Sequence, residues 1–141
     1  MEFVYEKLEV WKKAVDFGVK VSAMVADKSN DRKLTSVLQA IDNSVVNVST
    51  AIARGKGYAA KHDFTQHLYL SRGSMYETMT LLEILKRKRV ISDDQYAEYE
   101  SMGQKVTAML NGLIISIYRP KIEDDEKGRR SDSWKSRKGE R

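Results

Sequence analysis

Apolar residues along this chain recur at steps of three and four rather than two, in four separate runs. Such steps place them on one face of a helix. The first run predicts a helix over about 4–27, and it carries two neighbouring apolar stripes. One passes through Leu8, Trp11, Val15, Gly18, Val19, Ser22 and Val25, the other through Val10, Ala14, Phe17, Val21 and Met24. Only Glu9, Lys12, Lys13, Asp16, Lys20 and Asp27 form a polar face. A helix that is apolar over more than half its circumference has more to bury than one small bundle covers. The second stripe, Val10, Ala14, Phe17, Val21 and Met24, is therefore assigned to contacts between copies of the chain, and a homo-oligomer is expected.

The polar stretch DKSNDRK follows, with Ser29, Asn30 and Asp31 as N-cap candidates. A second helix, about 32–54, carries Leu34, Val37, Leu38, Ile41, Val45, Val48 and Ile52 at helical spacing. A third, about 61–88, repeats with Phe64, Leu68, Ser71, Met75, Thr78, Leu82 and Leu85. In VISDDQ, Ser92 and Gln95 have the spacing of a capping box, and Asp93 and Asp94 suit the positive end of a helix dipole. The fourth helix then buries Tyr96, Tyr99, Val106, Leu110, Leu113, Ile114 and Ile117, and is expected to stop at Pro120. Short connections favour neighbouring helices that run in opposite directions. The expected fold is all-α: an antiparallel up-down-up-down four-helix bundle over 1–119, with a disordered basic tail over 120–141.

Composition changes this picture in one respect. The formal charge of +5 resides in the tail, because KGRRSDSWKSRKGER holds seven Lys and Arg against Asp132 and Glu140, while the preceding residues balance. There is no cysteine, which excludes disulfides, thiolate metal sites and cysteine nucleophiles. The opening MEFVYEKLEVWKKA lacks the uninterrupted apolar core of a secretion signal, and no run approaches the ~18 apolar residues of a membrane span. A cytoplasmic location is the expectation.

Candidate chemistry is mostly basic. IARGKGYAAK places Arg54, Lys56 and Lys61 around Gly55 and Gly57. This is either a corner closed by Gly55 as a left-handed helix cap or such a corner that also grips a phosphate. It matches neither glycine-rich phosphate motif. Lys86, Arg87, Lys88 and Arg89 end the third helix; cations suit that dipole end, and four of them also form a rim for phosphates. Arg119 and Lys121 lead into the tail, where Arg129, Arg130, Lys135, Arg137 and Lys138 surround Trp134. Cations with an aromatic among them combine phosphate neutralisation with a stacking surface. Arg72 and Glu77 interrupt the third helix as a surface ion pair or an intersubunit polar contact, and Gly73 beside them predicts a close helix approach. His62 and His67 stand about 140° apart on a helix and do not share a metal within one chain. No catalytic serine, di-iron or metal motif is present, so no cofactor and no enzyme activity are expected.

FVYEKLEVWKKAVDF, the stretch LTSVLQAIDNSVVNVSTAIARGKGY and the pattern from Leu68 through Gly73-Ser74 to Glu77-Thr78 resemble a known family. It comprises the four-helix-bundle proteins encoded by intervening sequences in bacterial 23S rRNA genes, and the likeness covers about residues 3–118. The resemblance implies a homopentamer around a central channel. A related branch, the accessory variability protein of diversity-generating retroelements, binds reverse transcriptase and nucleic acid. Relatives commonly have Pro-Ala-Asn-Ile-Ala-Glu-Gly where this chain has Val48 through Arg54-Gly55, so a cation replaces an acid at the corner. Three readings follow: a nucleic-acid-binding ring, with RNA as the first expectation; an adaptor for a reverse transcriptase; or a purely structural oligomer.

Overall fold

In the computed structural model, residues 2–139 are described, with side chains as far as Tyr118. Four helices make up the chain: α1 (Glu9–Lys28), α2 (Thr35–Lys56), α3 (Lys61–Arg87) and α4 (Asp93–Gly139). Short 3-10 turns precede α1 at Val4–Lys7 and α2 at Arg32–Leu34, and no strand occurs among the described residues. Each helix packs on the next, and α4 returns to α1.

The beginning of the chain departs from a single helix over 4–27. Leu8 is extended (φ −80°, ψ 119°) and breaks the turn from α1. The Phe3 amide donates to the Glu6 carboxylate at 2.6 Å, and the Tyr5 ring packs 4.9 Å from Trp11 across the break. Asp31 caps the second turn, accepting from the Lys33 amide at 3.0 Å. The Ser92–Gln95 capping box forms in both directions, at 2.9 and 3.0 Å. At the far end, α4 runs past Pro120 to Gly139, beyond its expected stop. An interior proline costs about 3 kcal/mol without forbidding continuation.

The second stripe of α1 is not where the sequence suggests. Ala14, Phe17 and Val21 are fully buried, Val10 and Met24 nearly so, all within the chain's own core. They are not a surface between copies. Their steps of four and three form an unbroken seam of apolar side chains, whereas the other stripe is diluted by Gly18 and Ser22. That diluted stripe lies outside: Leu8, Trp11, Val15 and Val25 are half-buried and Val19 is 66% exposed. The core is completed by Ile41, Val45, Val48 and Ile52 of α2, Leu68, Met75, Leu82 and Leu85 of α3, and Val106 and Leu110 of α4.

The α2–α3 pairing is the most extensive and has small residues along it: Ser44, Ala51 and Gly55 on α2, Ser71 and Thr78 on α3. Ser44 and Thr78 hydroxyls lie 2.8 Å apart, and Ser71 donates to the Val48 carbonyl at 2.6 Å. These buried polar groups are all satisfied among the described residues, which removes the desolvation penalty of burying them. At Gly55 the helices come closest, since a Cβ there would stand 2.5 Å from the His67 Cβ and 3.1 Å from Phe64. Gly55 thus lies inside α2 rather than acting as a left-handed cap, and the cap residue Gly57 is right-handed (φ −73°). Gly73, where close approach was expected, is exposed with nothing within 4 Å of an added Cβ.

The two glycines predict opposite effects in denaturant unfolding. Gly55→Ala should destabilise by about 1–3 kcal/mol through overpacking. Gly73→Ala should stabilise by up to about 1 kcal/mol through helix propensity.

Candidate nucleic-acid interface

At the α2–α3 corner, Arg54 and Lys61 are exposed, while Lys56 lies half-buried with its ammonium 5.2 Å from the Phe64 ring centre. The Gly57 and Tyr58 amides donate to the Arg54 and Gly55 carbonyls at 3.1 and 3.2 Å, so α2's last turn is already satisfied. Tyr58 packs 5.0 Å from His67, whose Nδ1 is 2.8 Å from the Asp63 carbonyl. A carbonyl oxygen only accepts, so Nδ1 is the donor in that bond. The corner gathers cations and an aromatic. Among the described residues no group of three His, Asp or Glu side chains could hold a metal ion.

The run at the end of α3 divides in two. Glu83 takes up Lys86 at 3.0 Å and Arg87 Nε at 3.1 Å, and Lys86 also lies 4.3 Å over Tyr96. Hydrogen bonds from Lys86 and then Arg87 hold the Glu83 carboxyl below its ordinary range. Burial, reinforced by Glu100 and Glu83, raises the Tyr96 phenol, so its hydroxyl stays protonated. Lys88 and Arg89 are exposed, with no acidic partner among the described residues. Arg89 closes the helix in a left-handed conformation, φ 64°. Its amide donates to the Lys86 carbonyl and Val90 donates to Leu85, satisfying the orphan carbonyls. Glycine is the usual occupant of that conformation, and an arginine costs about 1 kcal/mol more.

Along α3 the polar interruption is not an Arg72–Glu77 ion pair. Arg72 Nη1 donates to Asn111 Oδ1 of α4 at 2.9 Å, while Glu77 is exposed. The guanidinium stands 4.9 Å from the Tyr69 ring and 5.9 Å from the Tyr76 ring. This aromatic pair escaped the sequence reading, although its spacing of three before and four after Arg72 was legible. The α3 sites are 27 residues end to end, about 40 Å, so the two basic clusters are far apart. Arg119, Lys121, Arg129, Arg130, Trp134, Lys135, Arg137 and Lys138 lie outside the described side chains.

These features define the class as a small all-helical bundle protein with basic helix ends. A family model described as 23S rRNA-intervening sequence protein matches residues 6–112, and the chain belongs to that family. A crystal structure from Bacteroides thetaiotaomicron, described as a protein with unknown function from the S23 ribosomal protein family, shares the fold. It matches at TM-score 0.71 and 22% identity, over 74% of this chain and 97% of that one. No curated protein matches this chain. No helix among the described residues is long and apolar enough to cross a membrane.

The Glu83 clamp gives a signed prediction. A depressed carboxyl contributes stability above its unfolded pKa, and that contribution is lost as pH falls through the lower folded value. Glu83→Gln should free both cations and tighten binding to nucleic acid. The plot of log affinity against log salt should steepen by about 0.7–0.9 per freed cation. Arg89→Gly should raise stability by up to about 1 kcal/mol in urea unfolding while weakening nucleic-acid binding.

Proposed function

We propose that the protein is a non-enzymatic, homo-oligomeric scaffold that binds nucleic acid, with RNA the favoured form, through the basic ends of its helices. The observation that carries this is the Lys88–Arg89 pair. Both cations are exposed, and one holds a backbone conformation in which glycine is cheaper. A ligand held by the Arg89 side chain would offset the cost of an arginine at such a site. Arg54 and Lys61 offer a second, exposed basic group at the other end of α3.

The topology in this proposal is antiparallel, up-down-up-down. Support comes from paired positions that count upward on one helix and downward on the next. Ser44 meets Thr78, Val48 meets Ser71 and Gly55 meets His67 between α2 and α3. Arg72 meets Asn111 and Lys86 meets Tyr96 between α3 and α4.

The ring of copies, five by family likeness, uses the outward stripe of α1 in place of the buried one. Ser22 donates to Asp42 at 3.1 Å, which sets that side of α1 beside α2. Val19 and Val46, three and four residues from this bond, are 66% and 49% exposed. Multiplying a weak basic surface in a ring strengthens binding through effective concentration. Val19→Glu should therefore shift sedimentation towards monomer with the unfolding midpoint retained; a monomeric wild type at micromolar concentration removes the ring.

Fluorescence anisotropy with RNA and DNA at two salt concentrations tests the function. Binding that weakens steeply with salt, and weakens further in Lys88→Ala/Arg89→Ala, is the expected result. No binding at low salt rejects the reading.

A further inference from the structure

The outward side of α3 carries a feature that phosphate contact alone does not use. Tyr69, Arg72 and Tyr76 place three planar groups in series along the helix, with the guanidinium 4.9 and 5.9 Å from the two ring centres. The rings are 43% and 53% exposed, and Arg72 lies over one face of each, which leaves the surface turned away from the guanidinium for a ligand. Asn111 anchors Arg72 through one nitrogen at 2.9 Å, which holds the guanidinium in place while leaving its other donors free.

Helical spacing extends this row. At 100° per residue, Lys61, Tyr69, Arg72, Tyr76 and Lys86 fall on one side of α3, with a cation near each end and the planar groups between. Glu77 lies about 100° round the helix from Tyr76, and Glu83, the acid within the row, is occupied by Lys86 and Arg87. Beside Tyr76 a groove of about 430 Å³ runs between α3 and α4, past Met75, Met79 and Gly103, with the Glu100 carboxylate of α4 on its rim. Its small wall at Gly103 lets both methionine sulfurs lie within about 3.2 Å of an added Cβ position, so the floor is apolar and polarizable.

We propose that this face of α3 is a stacking platform for single-stranded nucleic acid, with bases on the Tyr69–Arg72–Tyr76 row and the backbone led between the basic ends. The proposal rests on the nucleic-acid reading above and adds strand preference to it. Bases in a duplex keep their faces against each other and cannot use such a platform, whereas unpaired bases stack on aromatic rings and guanidinium planes whatever their identity. The full chain should therefore prefer single strands over duplex of equal length, with weak dependence on base sequence.

The test measures anisotropy of labelled U20 and T20 and of a 20-base-pair duplex against the full-length protein. Wild type should bind the single strands more tightly. Tyr69→Ala and Tyr76→Ala should each weaken single-strand binding by about tenfold, with the salt slope unchanged. Tyr69→Phe should restore it, because a phenyl ring still stacks, and Arg72→Lys should weaken it although the charge is kept. Circular dichroism melts confirm folding of each variant. Tyrosine variants that bind U20 like wild type, while Lys88→Ala/Arg89→Ala weakens it, overturn the platform and leave the basic-end reading intact. Equal affinity for duplex and single strand overturns it in the same way. Tyrosine variants that change only the sedimenting species show a contact between copies and also overturn it. Absence of binding to any probe overturns both readings.

Discussion

Close contact between α2 and α3 is the constraint on which the rest of this protein depends. Their backbones approach until no side chain fits at Gly55, and the seam is kept narrow by Ser44, Ala51, Ser71 and Thr78. Hydroxyls in a hydrocarbon core are costly when unpaired, yet here each bonds across the seam or to a carbonyl of a nearby turn. Directional bonds in such a seam also select one register, which apolar contacts alone specify less sharply. Fixing the inward side of α3 in this way decides what the helix shows to solvent. Tyr69 and Tyr76 are outward because Leu68, Ser71 and Met75 are inward, and half-buried Arg72 is turned between them towards Asn111 of α4.

The same constraint explains the uneven character of the surface. The α1–α4 pairing is thinner than the seam, with an apolar groove of about 460 Å³ beside Met102, Val106 and Met109. The Lys20–Glu98 ion pair bridges it, but an exposed pair contributes little to stability. The basic groups cluster where helices end, and there they differ in kind. Lys86 and Arg87 are occupied by Glu83, whereas Lys88 and Arg89 project freely among the described residues. A count of cations in the sequence therefore overstates the charge available to a ligand.

Helix number, the boundaries of α2 and α3 within a few residues, and the start of α4 were legible in the sequence, whereas the break at Leu8 and the run of α4 past Pro120 were not. Apolar spacing and the Ser92–Gln95 box carry that information locally. Which stripe of α1 faces inward was not legible from the width of the apolar arc, although the unbroken four-three steps of Val10 through Met24 held the answer. Nor were the two kinds of glycine distinguishable. Gly55 is required by a neighbour 12 residues away in sequence, whereas Gly73 faces open space. The left-handed Arg89 was hidden because a glycine-like conformation there carries a residue that gives no such cue. Among the candidate site residues, the sequence showed where cations stand but not that Glu83 pairs with two of the four in one run.

The central claim is that the α2–α3 seam is the most persistent part of the fold and thereby holds the outer side of α3 on display. Native-state hydrogen exchange followed residue by residue by NMR tests it most directly. The account predicts that amides of Val45–Ile52 and Met75–Leu82 exchange last, through global unfolding, while those of α1 and the α4 segment facing it open earlier. Slowest exchange in α1 and α4, with the seam opening first, would contradict it.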